Sequence, residues 1–326
     1  MMPGASENTP VVSVIIPSYK RVSSIMKSID SALAQTVRDI EVIVIDDASQ
    51  DGTVELVRDI DDDRVVLLEH EYNKGANAAR ALGIAHARGE WVAFLDSDDQ
   101  WLPTKLQRQL ELLESLGDDY GLCTTWLTIV GPQGEFLRHL ETSISADAYE
   151  VLQCSNPLGS FSSAIIRRAA VLEVGSVNVS LPACQDWDLF ARVSRIVKVC
   201  IVPEHLVLYL ADPGDRTRIT TSNRKVIGGL QHMYTNMRRQ YPTLSPRMRR
   251  TGTRYFGEKF ANEGAVRDVA RVALGTLRPT QIRDSAFAGH MLVRSIRKAV
   301  RAANAEQSKA AEAAKAVKAK SSSGTN

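Results

Sequence analysis

The sequence predicts an α/β fold, with a doubly wound, mostly parallel sheet, then an antiparallel portion, then a basic helical C-terminal region. Four short apolar runs rich in β-branched residues alternate with segments of helical period, the pattern of buried parallel strands joined by crossover helices. After Gly117 this alternation gives way to paired strand-like runs. Charge then divides the chain. Residues 1–215 carry 17 Lys/Arg against 32 Asp/Glu, whereas residues 216–326 carry 23 against 6.

The first strand is VVSVIIP (11–17) and the second IEVIVID (40–46), with Ile25, Ile29 and Leu33 forming one helical face between them. DDASQDGT (46–53) supplies turn and capping residues before a helix at 54–60. VVLLEH (65–70) is a third strand, GANAARALGIAHA (75–87) a helix, and WVAFLD (91–96) a fourth strand. A helix is expected over 103–116, with Pro103 in its first turn. Residues 121–130 and 135–140 read as an antiparallel pair around a GPQG turn. A strand at 160–168, a helix at 186–196 and strands at 197–203 and 206–210 follow. The expected divisions are an α/β domain at 10–215, basic helices at 216–303 and a low-complexity Ala/Lys tail at 304–326.

Apolar residues make up 44% and charged residues 24%, an ordinary soluble composition. The four cysteines form no CxxC pair, which suits a reducing compartment and argues against structural zinc. No apolar run reaches the roughly 18 residues that span a bilayer. The polar start MMPGASENTP lacks the apolar core of a signal peptide. The expected location is cytoplasmic, with peripheral attachment at the inner face of the membrane.

In open parallel sheets, ligands bind beyond the carboxyl ends of the strands. The polar clusters 17–21, 46–53 and 96–99 all fall at such ends and should converge. Asp96-Ser97-Asp98-Asp99 crowds three carboxylates into four residues, a set that calls for a cation. Mg²⁺ and Mn²⁺ accept such oxygens and also bridge phosphates. A solvated, capped loop is the competing reading. Asp46 and Asp47 could bind a base or ribose, or serve only as turn residues. Asn73-Lys74-Gly75 opens a helix bearing Arg80, an arrangement open to phosphate but equally to an ordinary turn.

The ordered set SVIIPSYKR (13–21), DDASQDGT (46–53), NKGANAARALGIAHARGEWVAFLDSDD (73–99) and CQDWDLFAR (184–192) resembles the family 2 glycosyltransferases. The resemblance implies the GT-A fold and a nucleotide-sugar donor. It assigns Pro17, Ser18, Tyr19 and Arg21 to the base and ribose pocket, with Asp47 reading the base and Asp46 supporting it. Lys74 and Arg80 would border the nucleotide. Asp96, with Ser97, would lie near the ribose and sugar, and Asp98 would bind Mn²⁺ or Mg²⁺, with Asp99 assisting. The family's catalytic base is an aspartate in an acidic pair that here reads Gln185-Asp186, which leaves Asp186 as the base. Trp101 and Trp187 could stack on sugars or simply pack.

The implied reaction is inverting, metal-dependent transfer from a nucleotide-sugar, UDP-linked in first preference, to a hydroxyl of a saccharide or lipid-linked acceptor of the cell envelope. The QxxRW signature and spanning helices of processive synthases are not visible, so single-sugar addition is expected. A nucleotidyltransferase would show an early glycine-rich phosphate loop, which SVIIPSYKR lacks. A non-catalytic binding scaffold would lose the base, and Asp186 is retained. AFAGHMLVRSIRKAVRAA (286–303) reads as a basic amphipathic helix, which suggests an anionic membrane surface as partner for 216–303. With few aromatics beside those charges, nucleic acid is not expected.

Overall fold

The structure is a computed structural model that describes residues 9–145, 148–212, 214–215, 222–276 and 293. It forms two compact units, Met1–Thr221 and Ser222–Asn326. The first is built on a nine-stranded sheet among the described residues. Strands β1 (Val12–Ser18), β2 (Ile40–Asp46), β3 (Val65–Glu69) and β4 (Trp91–Phe94) pair in parallel in the order β3-β2-β1-β4. Every residue of β1 and β2 is buried, as their unbroken apolar runs require.

Helices α1 (Ile25–Leu33) and α4 (Lys105–Leu116) cover one face of the sheet. Ile25, Ile29, Leu106 and Leu113 pack there with Val14, Ile16, Val42, Val44 and Leu95. Each such side chain contributes roughly 1.5–3 kcal/mol by leaving water. Helix α3 (Ala76–His86) lies on the other face and approaches closely at Gly83, where a Cβ would sit 2.7 Å from Ile15 and 2.8 Å from Ile45. Helix α2 (Thr53–Arg58) starts after Gly52, whose left-handed φ of 91° and lack of a side-chain cap replace the expected capping side chain.

Strand β5 (Gln100–Trp101) and helix α4 correct the sequence reading. Gln100 and Trp101 form a short strand that the sequence reading did not include, and Pro103 precedes the capping residue Thr104 instead of opening the helix. Strands β6 (Tyr120–Val130) and β7 (Phe136–Leu140) form the expected antiparallel pair. Helices α5 (Tyr149–Cys154) and α6 (Arg168–Glu173) were not foreseen. The strand expected at 160–168 shrinks to β8 (Ile165–Arg167), because Phe161–Ser163 coil into a 3-10 turn. Helix α7 (Gln185–Val193) is followed by β9 (Lys198–Leu210), a single strand where two were expected. Register shifts along its parallel pairing with β6 absorb the polar stretch at 203–205. Strand β8 joins the halves, antiparallel to both β4 and β6.

The second unit contains α8 (Asn223–Gln240), α9 (Pro246–Asn262) and α10 (Val266–Thr276). Tyr234, Phe256 and Phe260 pack against one another in its core. Ser222 and Ser245 cap α8 and α9 by accepting from the backbone N–H of Lys225 and Met248. The amphipathic helix expected at 286–303 and the tail at 304–326 lie outside the described residues, Val293 apart. No described helix is long and apolar enough to cross a membrane.

Candidate active site

The strand order places β2 on one side of β1 and β4 on the other. Loops leaving β1 and β4 therefore part to open a crevice at their carboxyl ends, and the candidate residues gather around it. Pro17 and Ser18 end β1, Tyr19 and Arg21 follow it, and Asp46 ends β2 in register with Ser18. Asp47 donates its backbone N–H to Ser18 O at 2.8 Å. Among the described residues, four non-glycine residues have left-handed backbones, and three of them flank this region: Lys20, Ala48 and Cys184, which precedes α7. Such strained conformations concentrate at functional sites.

The carboxylates divide by partner. Arg80 reaches from α3 to Asp96, with Nη2 2.5 Å from Oδ1, and lies over the Phe161 ring at 4.4 Å. It thus joins Asp96 at the edge of the crevice. Arg21 lies with Nη2 3.5 Å from Asp98 Oδ2 and Nη1 2.7 Å from Asp215 Oδ2. Ser97 is buried, and its carbonyl accepts from Ser24 Oγ. Asp99 is fully buried and accepts from Ser162 Oγ at 2.6 Å and from the Leu210 N–H at 3.0 Å. Burial pushes its carboxyl well above the usual range, and the charges of Asp98 and Asp96 push the same way. Asp99 therefore anchors the loop to β9 and the 3-10 turn.

Asp47 receives the backbone N–H of Lys74 at 2.8 Å and of Gly75 at 2.7 Å, and its Oδ1 lies 2.7 Å from His70 Nδ1. The side chain thus clamps the loop before α3, where Gly75 adopts a φ of 91°. The Lys74 side chain is exposed and lies 5.0 Å over the Tyr72 ring. Asp46 accepts from Ser49 N through Oδ2, while its buried Oδ1 and the neighbouring Ser18 Oγ have no hydrogen-bond partner. Unsatisfied buried polar atoms are costly, so this pair at the strand ends suits a ligand's hydroxyl or N–H.

Asp186 lies in the first turn of α7, its Oδ1 accepting the Trp187 N–H at 2.7 Å. Burial raises its carboxyl to about 6; that N–H and Arg80 oppose the rise, and Asp96 adds to it. These electrostatic links join Asp186, Arg80 and Asp96 in one cluster. Asp188 is engaged otherwise, holding Arg192 Nε and Nη2 at 2.9 and 2.8 Å. Both tryptophans pack: Trp187 Nε1 donates to Leu152 O, and Trp101 Nε1 to Ser162 O. Lys105 lies 4.0 Å over the Trp101 ring, and burial lowers its ammonium to about 7.

Ser162, His70 and Asp215 were not singled out from sequence. Ser162 also accepts the Asp96 N–H at 3.1 Å, riveting the acidic loop from a segment read as plain strand. His70 follows β3 at the same strand-end level as Asp47, so the strand-end rule could have found it.

Among the described residues no group of three His, Cys, Asp or Glu is arranged to hold a metal ion. Asp98 is the residue whose hard oxygen donors could hold one at the crevice, in place of its contact with Arg21 at 3.5 Å. Mg²⁺ characteristically takes one or two carboxylates and completes its shell with substrate phosphates and water.

A family model described as glycosyl transferase family 2 matches residues 13–175. The chain is 40% identical over 105 residues to the UDP-Glc:alpha-D-GlcNAc-diphosphoundecaprenol beta-1,3-glucosyltransferase WfaP of Escherichia coli, covering 32% of this chain and 42% of that protein. It is 39% identical over 138 residues to the succinoglycan biosynthesis protein ExoO of Rhizobium meliloti, covering 42% of this chain and 39% of that protein. The chain thus spans about two fifths of the length of these relatives. Staphylococcus aureus TarS 1-349 in complex with UDP-GlcNAc superposes with a TM-score of 0.57 at 15% identity, covering 90% of this chain and 92% of that one. The mannosyltransferase PcManGT from Pyrobaculum calidifontis, solved with GDP-Man and Mn²⁺, gives 0.57 at 18% identity, covering 89% and 86%. These two structures share the fold.

Proposed function

The chain belongs to glycosyl transferase family 2, and on that premise we propose that it transfers one sugar, with inversion, from a UDP-sugar to a hydroxyl of a lipid-linked saccharide acceptor. The observation that carries the proposal is the cluster of Asp186, Arg80 and Asp96. A carboxyl held at about 6 is half-deprotonated at that pH and mostly ionised at neutrality, which suits a general base. Asp186 takes the acceptor proton as the hydroxyl attacks the anomeric carbon opposite the diphosphate. Arg80 fixes Asp96 and keeps Asp186 able to ionise beside it. Pro17, Ser18, Tyr19 and Asp46 receive base and ribose, with the unpartnered Ser18 Oγ and Asp46 Oδ1 as hydrogen-bonding groups. Asp47 and Lys74 shape the adjoining loop, and Arg21 and Asp98 face the diphosphate. A bound Mn²⁺ or Mg²⁺ ion supplies Lewis-acid stabilisation of the leaving diphosphate.

The UDP-sugar and lipid-diphosphate in the name of the E. coli relative favour this donor and acceptor class. Incubation with individual nucleotide-sugars, Mn²⁺ and short-chain alkyl diphosphates bearing GlcNAc or GlcNAc-glucose as acceptor should give a product one sugar longer from one UDP-sugar. NMR of the product should show the anomeric configuration opposite to the donor's. A retained configuration would reject direct displacement by an Asp186-activated hydroxyl.

An anionic membrane surface is the partner we propose for the second unit. Arg247, Arg250 and Arg254 are exposed on α9 at spacings of three and four, which forms one stripe. Arg247 and Arg250 sit near the helix N-terminus, where cations oppose the macrodipole, so helix stability does not account for them. Arg249 differs, since its Nε donates to Leu244 O and braces the turn. Replacing Arg247, Arg250 and Arg254 by serine should weaken co-sedimentation with anionic vesicles by about 10²-fold at low salt. Equal binding of wild type to neutral vesicles would reject the electrostatic reading.

A further inference from the structure

The far edge of the sheet carries a feature that the donor site does not use. The His139 and His205 rings lie 3.9 Å apart, Trp126 lies 5.2 Å from His205, and Phe136 lies 4.8 Å from His139. Thr128 Oγ1 is 3.2 Å from His139 Nδ1. His205 Nε2 is 3.4 Å from Glu141 Oε1, without hydrogen-bond alignment. Phe136 is 60% exposed and His139 is exposed. Three elements thus build one continuous array of rings with hydroxyl, imidazole and carboxylate groups at its margin.

Its place in the sheet links it to the reaction. Cys123 and Leu127 of β6 belong to the core formed with α1 and α4, so the alternate residues Trp126 and Thr128 point to the opposite face. That face carries α3 against Ile15 and Ile45, and so lies on the side of Arg80. Along the sheet, Asp99 holds Leu210 of β9, Leu210 is registered with Val130 of β6, and Val130 with Phe136 of β7. Neighbouring strands lie about 4.8 Å apart, so the platform is some two strands from the acidic loop, roughly the span of one or two sugar rings.

We propose that Trp126, Phe136, His139 and His205 form an acceptor subsite that binds a saccharide ring one or more residues away from the hydroxyl being glycosylated. The inference rests on the glycosyltransferase reading of the neighbouring site. Sugars present apolar C–H faces ringed by hydroxyls. An aromatic platform bordered by Thr128, Glu141 and imidazole nitrogens matches that chemistry, whereas a purely apolar lipid would leave those polar groups unpaired.

The test uses the full chain, with a short-chain alkyl diphosphate-GlcNAc-glucose as probe and the sugar-free alkyl diphosphate as comparison. The saccharide probe should shift the imidazole NMR signals of His139 and His205, and the sugar-free compound should not. Phe136→Ser and His139→Ala should each remove these shifts and raise the acceptor KM about tenfold, with donor KM unmoved. Arg138→Ser, on the opposite face of β7, is the control and should match wild type. If wild type transfers no sugar yet the saccharide still shifts both imidazoles, the catalytic reading fails and the subsite stands. If the saccharide leaves the imidazoles unmoved, or the alkyl diphosphate alone shifts them, the subsite is overturned.

Discussion

Asp98→Ala is expected to reduce sugar transfer by at least about 10³-fold, since metal stabilisation of a leaving diphosphate is worth several kcal/mol. The fold should survive. Asp98 faces Arg21 at 3.5 Å, and Arg21 keeps its shorter contact with Asp215 at 2.7 Å when Asp98 is removed. Loss of one carboxylate also relieves the charge acting on buried Asp99. The thermal melt should therefore shift little while activity disappears. In wild type, EDTA should abolish transfer and added Mn²⁺ or Mg²⁺ should restore it. Titration of Mn²⁺ with UDP should give a binding heat in wild type that is missing in Asp98→Ala. Full turnover in EDTA would sink the metal role of Asp98.

Asp186→Asn should lower kcat by about 10²–10⁴-fold, the range of general-base loss, while donor binding is retained. In wild type, activity should rise with pH through about 6 and level off above it, because the base must be deprotonated. The same shift has a stability consequence. The carboxyl titrates near 3.8 when unfolded and near 6 when folded, so between these values the folded chain holds more protons. Stability then falls as pH rises through that window, and the loss persists above it. Asparagine carries no such charge, so Asp186→Asn should melt higher than wild type at pH 7.5 while being nearly inactive. Normal turnover by Asp186→Asn combined with loss in Asp188→Asn would move the base to Asp188. The engagement of Asp188 by Arg192 argues for the first outcome.

Much of the architecture was legible in the chain. The parallel strands β1–β4 follow from unbroken runs of β-branched residues, and α1 and α3 from their apolar period. Placement of Asp46, Asp96 and Asp98 at or just beyond strand ends follows from the same runs, because an unbroken apolar run ends where charged residues begin. The misreadings have separate causes. Pro103 marks the approach to a helix from outside as readily as its first turn, since its fixed φ suits both positions. Residues 160–168 read as a strand, but the Ser162 hydroxyl is taken by Asp99, 63 residues away, and Phe161–Ser163 coil instead. The polar stretch 203–205 looked like a break, yet register shifts against β6 let one strand pass through it.

By itself the sequence determined the alternating elements, the convergence of polar strand ends and the family to which the chain belongs. Hydrophobic period and motif order are properties of the chain read locally, and need no partner to be visible. Only the tertiary structure decided which acid is buried, which is paired and which is poised to take a proton. Asp99 is held by Ser162 and Leu210, 63 and 111 residues away, and Arg21 by Asp215, 194 residues away. Tertiary packing also set the Asp186 carboxyl at about 6. A carboxylate's charge state depends on the water removed from around it and on the charges brought beside it, and both are set by packing between distant segments.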